Sequence, residues 1–306
     1  MEMPACSTGE FKDRYWWLRS PGYSQRSAAY VFLDGALSSG YVNSTDSCVR
    51  PVLWINLESE ENLAAHPEPK APTSEEKRAP FRNVGGYVTF GNYEQDNYIA
   101  NGKEPIEWQV LDYDPENNRA LLISRYGLDV QPYNKEDVDV TWENCTLRAW
   151  LNGEFMNNAF SRTEQGAILT TMVDNSKKQG YGEWRTNGGN DTQDKIFLLS
   201  CAEAHLYFAV EYFTYYEKSR GNYDYTNVTS RIRPTAYAIM NGADTNNNFK
   251  TNDGTAAGWW WLRSPGSSQH FAARVYTNGS LSSGYVDRTE SCVRPALWIN
   301  LESDIF

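Results

Sequence analysis

Residues 259–303 read WWWLRSPGSSQHFAARVYTNGSLSSGYVDRTESCVRPALWINLES, and residues 15–59 read YWWLRSPGYSQRSAAYVFLDGALSSGYVNSTDSCVRPVLWINLES. The two align without a gap at an offset of 244, with 32 of 45 positions identical, which marks a duplication. In the later copy, Ala273–Thr277 and Leu281–Val286 flank Asn278-Gly279. That pattern predicts a hairpin with a type I′ turn, because both turn residues accept positive φ; Asp34-Gly35 meets the same rule in the earlier copy. Cys292–Leu301 (CVRPALWINL) reads as a last buried strand, with Pro295 at its start or in a bulge.

Working outward, residues 1–14 do not match the stretch before Trp259, so residues 1–59 read as a truncated copy of a domain tail. An orphan hairpin of that size is not stable alone. It is expected to dock on a sheet edge or to self-associate by swapping. Residues 60–80 hold four prolines, five glutamates and almost no large apolar side chain, which predicts an extended linker. Residues 81–306 then form one complete domain.

Within that domain, Gly86–Phe90 predicts a strand. Glu107–Tyr113 and Arg119–Ser124 predict a hairpin around Asp114-Pro115-Glu116-Asn117-Asn118. Leu147, Trp150 and Leu151 share one face of a helix over 144–152. Ser161-x-x-Glu164 and Ser200-x-x-Glu203 are capping boxes that open helices. Ile196–Leu199 predicts a buried strand, while residues 180–194 and 242–258, rich in Gly, Asn, Asp and Thr, predict loops. Strands early and late with short helices between them define an α+β fold with small antiparallel sheets and long loops.

The chain has 306 residues and a net charge of −11. An acidic balance excludes the basic face that nucleic acid requires, and it opposes docking on anionic membranes. No apolar run approaches the length of a membrane span, and the first residues as written do not form a signal peptide. A cell-surface or secreted location is expected only if the true start lies upstream. The five cysteines are scattered without a C-x-x-C, so reduced thiols are expected rather than a disulfide framework or a zinc ribbon.

Differences between the two copies cluster. They fall at Tyr23/Ser267, Arg26/His270, Ser27/Phe271, Tyr30/Arg274, Phe32/Tyr276, Leu33/Thr277, Asp34/Asn278, Ala36/Ser280, Asn43/Asp287 and Ser44/Arg288. Outside them only Tyr15/Trp259, Asp46/Glu290 and Val52/Ala296 differ. Swaps such as Tyr for Arg or Ser for Phe are poor core substitutions, so these side chains are expected to face solvent or a ligand. Their mixture of aromatic and small polar groups resembles paratope chemistry. The identical Trp260, Trp261 and Trp298 are expected in the core, and Arg263 and Arg294 on carboxylates or backbone carbonyls.

The ordered motifs TWENCTLRAWLN (141–152), DKIFLLSCAEA (194–204), RPTAYA (233–238), WWLRSPG (260–266) and VRPALWINL (293–301) resemble a family of uncharacterised domains common in Gram-positive gut bacteria. Members of that family look like the C-type-lectin-like fold, shared by formylglycine-generating enzymes and by the variable proteins of diversity-generating retroelements. The resemblance implies a fold and a binding role, and it carries no established activity. All residues at the ten clustered positions can be encoded by triplets ending in a pyrimidine, as adenine-directed diversification of Asn-type codons would yield.

Catalytic constellations are poor. His66 lies in the linker, His270 is Arg26 in the other copy, and His205 sits on an apolar helix as a satisfied core histidine. Formylglycine-generating enzymes use late-segment cysteines, where this chain offers only Cys292 and its equivalent Cys48. That makes an enzyme of that kind, or a carbohydrate-active enzyme built on paired carboxylates, the second reading. The first is a non-enzymatic module that binds a protein or glycan through the variable hairpin face. Asp244, Asn246, Asn248 and Asp253 place oxygen ligands at spacings used by calcium loops. The glycine and terminal glutamate of such a loop are missing, so an Asn/Asp-rich loop without a cofactor is the plainer expectation.

Overall fold

The structure, a computed structural model, describes residues 15–24, 26–32, 35–44, 71–211 and 228–306. The expectations for Cys6, Cys48, His66, the strand after Cys48 and residues 60–70 lie outside the described residues. The chain divides into two compact units, Met1–Lys70 and Ala71–Phe306.

In the first unit, β1 (Trp16–Pro21), β2 (Ser27–Val31) and β3 (Leu37–Tyr41) form an antiparallel three-stranded sheet in chain order. Trp16 pairs with Val31, Trp17 with Tyr30 and Pro21 with Ala28, with a register shift between Trp17 and Pro21. The ring of Tyr30 lies 5.5 Å from Tyr15 and 5.9 Å from Trp17.

The second unit is mixed α+β. It opens with helix α1 (Ser74–Arg78), then strands β4 (Tyr87–Tyr93), β5 (Glu104–Asp114), β6 (Arg119–Ser124) and β7 (Asp129–Val130). Helices α2 (Thr146–Trp150), α3 (Met156–Ala159) and α4 (Arg162–Ala167) follow, with a wide π turn at Leu151–Phe155 between α2 and α3. Next come β8 (Thr171–Val173), β9 (Thr192–Asp194), β10 (Ile196–Phe197), α5 (Cys201–Phe208), α6 (Ala236–Met240), β11 (Thr245–Lys250) and β12 (Ala256–Gly258). The tail supplies β13 (Trp260–Pro265), β14 (Phe271–Val275), β15 (Leu281–Tyr285), β16 (Cys292–Val293) and β17 (Ala296–Asn300).

Two five-stranded sheets organise the unit, in the orders β10-β17-β6-β5-β4 and β15-β14-β13-β16-β7. The tail contributes to both. Its last strand lies between β10 and β6, and β13 lies between β14 and β16, the latter pair parallel at Trp260 and Cys292. The predicted single strand over Cys292–Leu301 is therefore two strands in different sheets. Pro295 has no N–H for a ladder, and it marks the corner where the chain changes sheet.

Trp108, Trp142, Trp260, Trp261 and Tyr133 are fully buried, and each indole N–H finds a carbonyl or carboxylate. Trp108 donates to Phe90 O, Trp142 to Asp194 Oδ2, Trp260 to Ser230 O and Trp261 to Gln131 O. Trp298 is only half-buried, with the Arg119 guanidinium 4.5 Å from its ring centroid.

The hairpin of β5 and β6 and both capping boxes form as the sequence predicts. Other elements differ. A third capping box, Thr73 with Glu76, starts α1 inside the segment read as linker, and Ser74 Oγ donates to Phe306 O. The 242–258 loop is largely a hairpin, with Thr245 facing Gly258 and Asn246 facing Ala257. Residues 192–194 of the other loop pair with β8. The expected helix over 144–152 keeps Leu147 and Leu151 buried but widens at Leu151, where Asn152 Oδ1 accepts from Lys195 N and Ile196 N. At the tail hairpin only Gly279 has positive φ. Its N–H bonds to Tyr276 O, and Tyr276 N bonds to Ser280 O, so the turn is of the glycine-bulge kind rather than type I′.

Candidate functional site

The tail repeats the first unit's register. Trp260 pairs with Val275, Trp261 with Arg274 and Pro265 with Ala272, with the shift at the same place. On this ribbon the ten variable positions separate into two groups.

At the turn end, burial contradicts the expectation of exposure. Arg274 is 8% exposed, and Thr277 and Ser280 are buried. Tyr276 and Asn278 are half-buried. The turn packs beneath a neighbouring segment: Ser230 Oγ donates to Gly279 O and Arg231 Nε to Asn278 O. Thr277 Oγ1 finds no hydrogen-bond partner there, and the sequence of the other copy has Leu33 at this position. Asn278 Oδ1 accepts from Ser280 N and Oγ, which fixes the turn.

Arg274 is tolerated inside because its surroundings are flat and paired. Its guanidinium lies 3.7 Å from the Trp259 ring centroid and 5.8 Å from that of Trp261. Nη1 donates to Glu290 Oε1 and Ser291 Oγ. Gly284 opens the slot, since a Cβ there would stand 2.6 Å from Arg274 Cζ. Gly40 does the same for Tyr30 in the first unit, so one glycine-backed slot receives either a phenol or a guanidinium.

At the open end the expectation of exposure holds better. Ser267, Asp287 and Arg288 are exposed, and His270 and Phe271 are half-buried. Ser267 Oγ lies 2.9 Å from Ser283 Oγ. The Phe271 ring centroid is 4.3 Å from that of Tyr285, and His270 is 4.7 Å from Phe271 and 5.7 Å from Tyr285. Arg288 stands 5.7 Å over Tyr285, and Asp139 Oδ1 is 3.7 Å from His270 Nδ1. These groups form an aromatic rim with flanking charges on and beside the edge strand β15. Comparing the copies missed Tyr285, because Tyr41 matches it, and missed Asp139, because it lies outside the repeat.

Arg263 and Arg294 hold the tail inside the fold. Arg263 donates to Leu198 O and Asp174 O and pairs with both oxygens of Glu203. Arg294 donates to Ser124 O and stacks on Phe208 and Trp260, and burial depresses its basicity.

Burial pushes the thiols of Cys145 and Cys201 up to about 12 and raises that of Cys292 as well. His205 is exposed rather than in the core, with Nδ1 3.1 Å from Val210 O. A groove of about 640 Å³ lined by Phe81, Tyr87, Phe90 and Phe306 also exposes Glu107 and Glu164. Glu107 pairs with Arg125, and Glu164 caps α4.

Two residues of the calcium-like stretch, Asn246 and Asp253, give their oxygens to protein donors. Asn246 Oδ1 accepts from Asn248 N. Asp253 accepts from Thr251, Thr255 and Arg233. Against desolvation, those hydrogen bonds hold the Asp253 carboxyl well below its usual range. In the acidic trio Glu94, Asp96 and Glu104, Glu104 Oε2 accepts from Gln95 N and Asp96 N, and Asp96 from Tyr98 N, while the buried Glu94 Oε1 has no hydrogen-bond partner among the described residues.

Together these features define an α+β domain whose tail strands stitch two sheets and whose tail sequence is present twice in the chain. The sequence matches the family described as a domain of unknown function, DUF6273, over residues 5–57 and 117–301, and the chain belongs to that family. No curated protein and no solved structure matches it.

Proposed function

We propose that the complete domain is a non-enzymatic recognition module that binds a protein or glycan through the open end of its tail hairpin. The observation that carries this reading is the rim of His270, Phe271, Tyr285 and Arg288, where half-buried and exposed aromatic and charged side chains meet and all but Tyr285 differ between the two copies. Ser267, Asp287 and Asp139 border it. Arg274, Tyr276, Thr277, Asn278 and Ser280 serve the hairpin rather than the ligand. A C-type-lectin-like scaffold belongs to the same proposal, supported by the mixed α+β architecture with late strands closing both sheets. Retroelement-type diversification is weakened, because half of the clustered differences now have packing or turn explanations. The enzyme alternative has less support, since the described cysteines are buried thiols and the groove's carboxylates serve an ion pair and a helix cap.

The test is a screen of the full chain against protein and glycan arrays, followed by Phe271→Ala, Tyr285→Ala and Arg288→Ala. Each should weaken the discovered interaction at least about tenfold, the size of an interface anchor. Binding that survives all three places the site elsewhere.

A further inference from the structure

In the complete domain, the tail is fastened to the rest by a short set of side chains. Trp260 and Trp261 donate to Ser230 O and Gln131 O. Arg263 reaches Leu198 O, Asp174 O and Glu203. Ser264 donates to Gln179 O and accepts from Cys201 N. Gln269 donates to Val140 O and Asn187 O, and Arg294 to Ser124 O. The first copy carries the identical residue at every one of these positions: Trp16, Trp17, Arg19, Ser20, Gln25 and Arg50. Its three strands pair in the same register with the same irregularity.

Among the described residues, that sheet is nevertheless more exposed than its twin. Arg19 and Ser20 are exposed, whereas Arg263 is 2% and Ser264 4% exposed. Leu37 is 76% exposed, whereas Leu281 is 6% exposed.

We propose that residues 15–57 are a second tail, able to occupy on its own chain's domain the site that residues 259–301 fill. The connection permits this. The Phe81 ring packs 5.0 Å from that of Phe306, so the end of the resident tail lies beside the start of the domain. Leu301 N bonds to Asn118 O. A tail ending at Leu57 in that position has residues 58–73 to return to α1, whose Ser74 Oγ already donates to Phe306 O at the end of the resident tail, and at roughly 3.3 Å per extended residue that length reaches with much to spare. A tether that spans its site raises the local concentration of its own tail above that of any other copy. The exchange is a circular rearrangement of one domain, with one body and two interchangeable ends.

The two ends are not equal. Ala296 is fully buried and becomes Val52 in the first tail, and added methyls in a filled core are destabilising. The resident tail therefore holds the site in the unmodified chain, and the exchange shows when it is weakened. This inference does not depend on the recognition reading.

The experiment uses the full chain carrying Trp260→Ala and Trp261→Ala, followed by hydrogen exchange with mass spectrometry. Peptides from 15–57 should exchange at least about tenfold more slowly than in the unmodified chain. Peptides from 259–301 should lose protection, those from β5 and β6 should keep it, and sedimentation should report a monomer. Adding Trp16→Ala and Trp17→Ala should then remove protection from β5 and β6 as well. The proposal is overturned if the first pair of substitutions unfolds the domain as fully as all four do. Unchanged exchange in 15–57 overturns it too, and a dimer overturns occupancy within one chain in favour of a second copy.

Discussion

Arg274 lies flat on Trp259, with its guanidinium carbon 3.7 Å from the ring centroid, at the position where the first copy sets Tyr30 against Tyr15. Stacking area, rather than charge, is what the slot requires. Arg274→Tyr combined with Trp259→Tyr and Glu290→Asp should therefore change stability by less than ~1 kcal/mol, as a volume-conserving repacking does. Arg274→Ala should lose about 2 kcal/mol, because it empties the slot and leaves Glu290 without its partner. Urea denaturation of the two variants measures the difference.

Gly284 and Arg274 are coupled through the same slot. A methyl at Gly284 would press on the guanidinium carbon at 2.6 Å, so Gly284→Ala should displace Arg274 and destabilise the domain. In an Arg274→Ala background the same substitution should be nearly neutral. A double-mutant cycle should give a coupling of about 1 kcal/mol or more, and additivity would show that the slot is not shared.

The pairing of Arg263 with Glu203 secures α5 to β13. Glu203→Ala removes the carboxylate from a buried guanidinium and also breaks the capping box with Ser200. The expected loss is about 2–3 kcal/mol, because Arg263 is buried but Glu203 is partly solvated and two backbone carbonyls still serve the guanidinium. Glu203→Gln, which retains the cap, should lose less, and thermal unfolding of both ranks them.

Asp129 gives the domain a pH dependence of defined sign. Burial raises its carboxyl above the usual range, against hydrogen bonds from Tyr93 Oη at 2.5 Å and from Val130 N. The folded state thus retains this proton where the unfolded chain has lost it. Its contribution is fullest below about pH 3.9 and declines as pH rises through the elevated native value. Asp129→Asn keeps an acceptor for Tyr93 and should flatten that decline. Stability measured from pH 4 to 8 in both proteins checks it, and parallel curves would refute the assignment.

Cys145, Cys201 and Cys292 should resist alkylation in the folded protein, because burial keeps each protonated and out of reach. Peptide mapping after iodoacetamide, with and without denaturant, reads this directly. Rapid native labelling at any of the three would reopen a thiol role.

Local signals were the legible ones. Both capping boxes, the β5–β6 hairpin and the tail ribbon follow from residue types a few positions apart, and those parts of the fold read directly from the chain. A third box at Thr73 and Glu76 carries the same signal, but it sits among prolines and glutamates that read as linker. Longer-range relations were hidden. Nothing near Arg274 says that Gly284 clears room for it, so a Tyr-to-Arg difference looked like solvent exposure. The asparagine run at 246–248 looked like a loop, because its pairing with Ala257 is a tertiary fact. Tyr285 escaped notice because it does not vary, and a comparison of two copies detects only change.

The seating of β17 between β6 and β10 has a consequence for biosynthesis. As the chain leaves the ribosome, those two strands emerge with their facing edges bare, and they stay so until a tail strand is seated between them. The interval in which this nascent domain can be misdirected or captured by chaperones therefore shortens if the earlier tail holds the gap until residues 296–300 arrive.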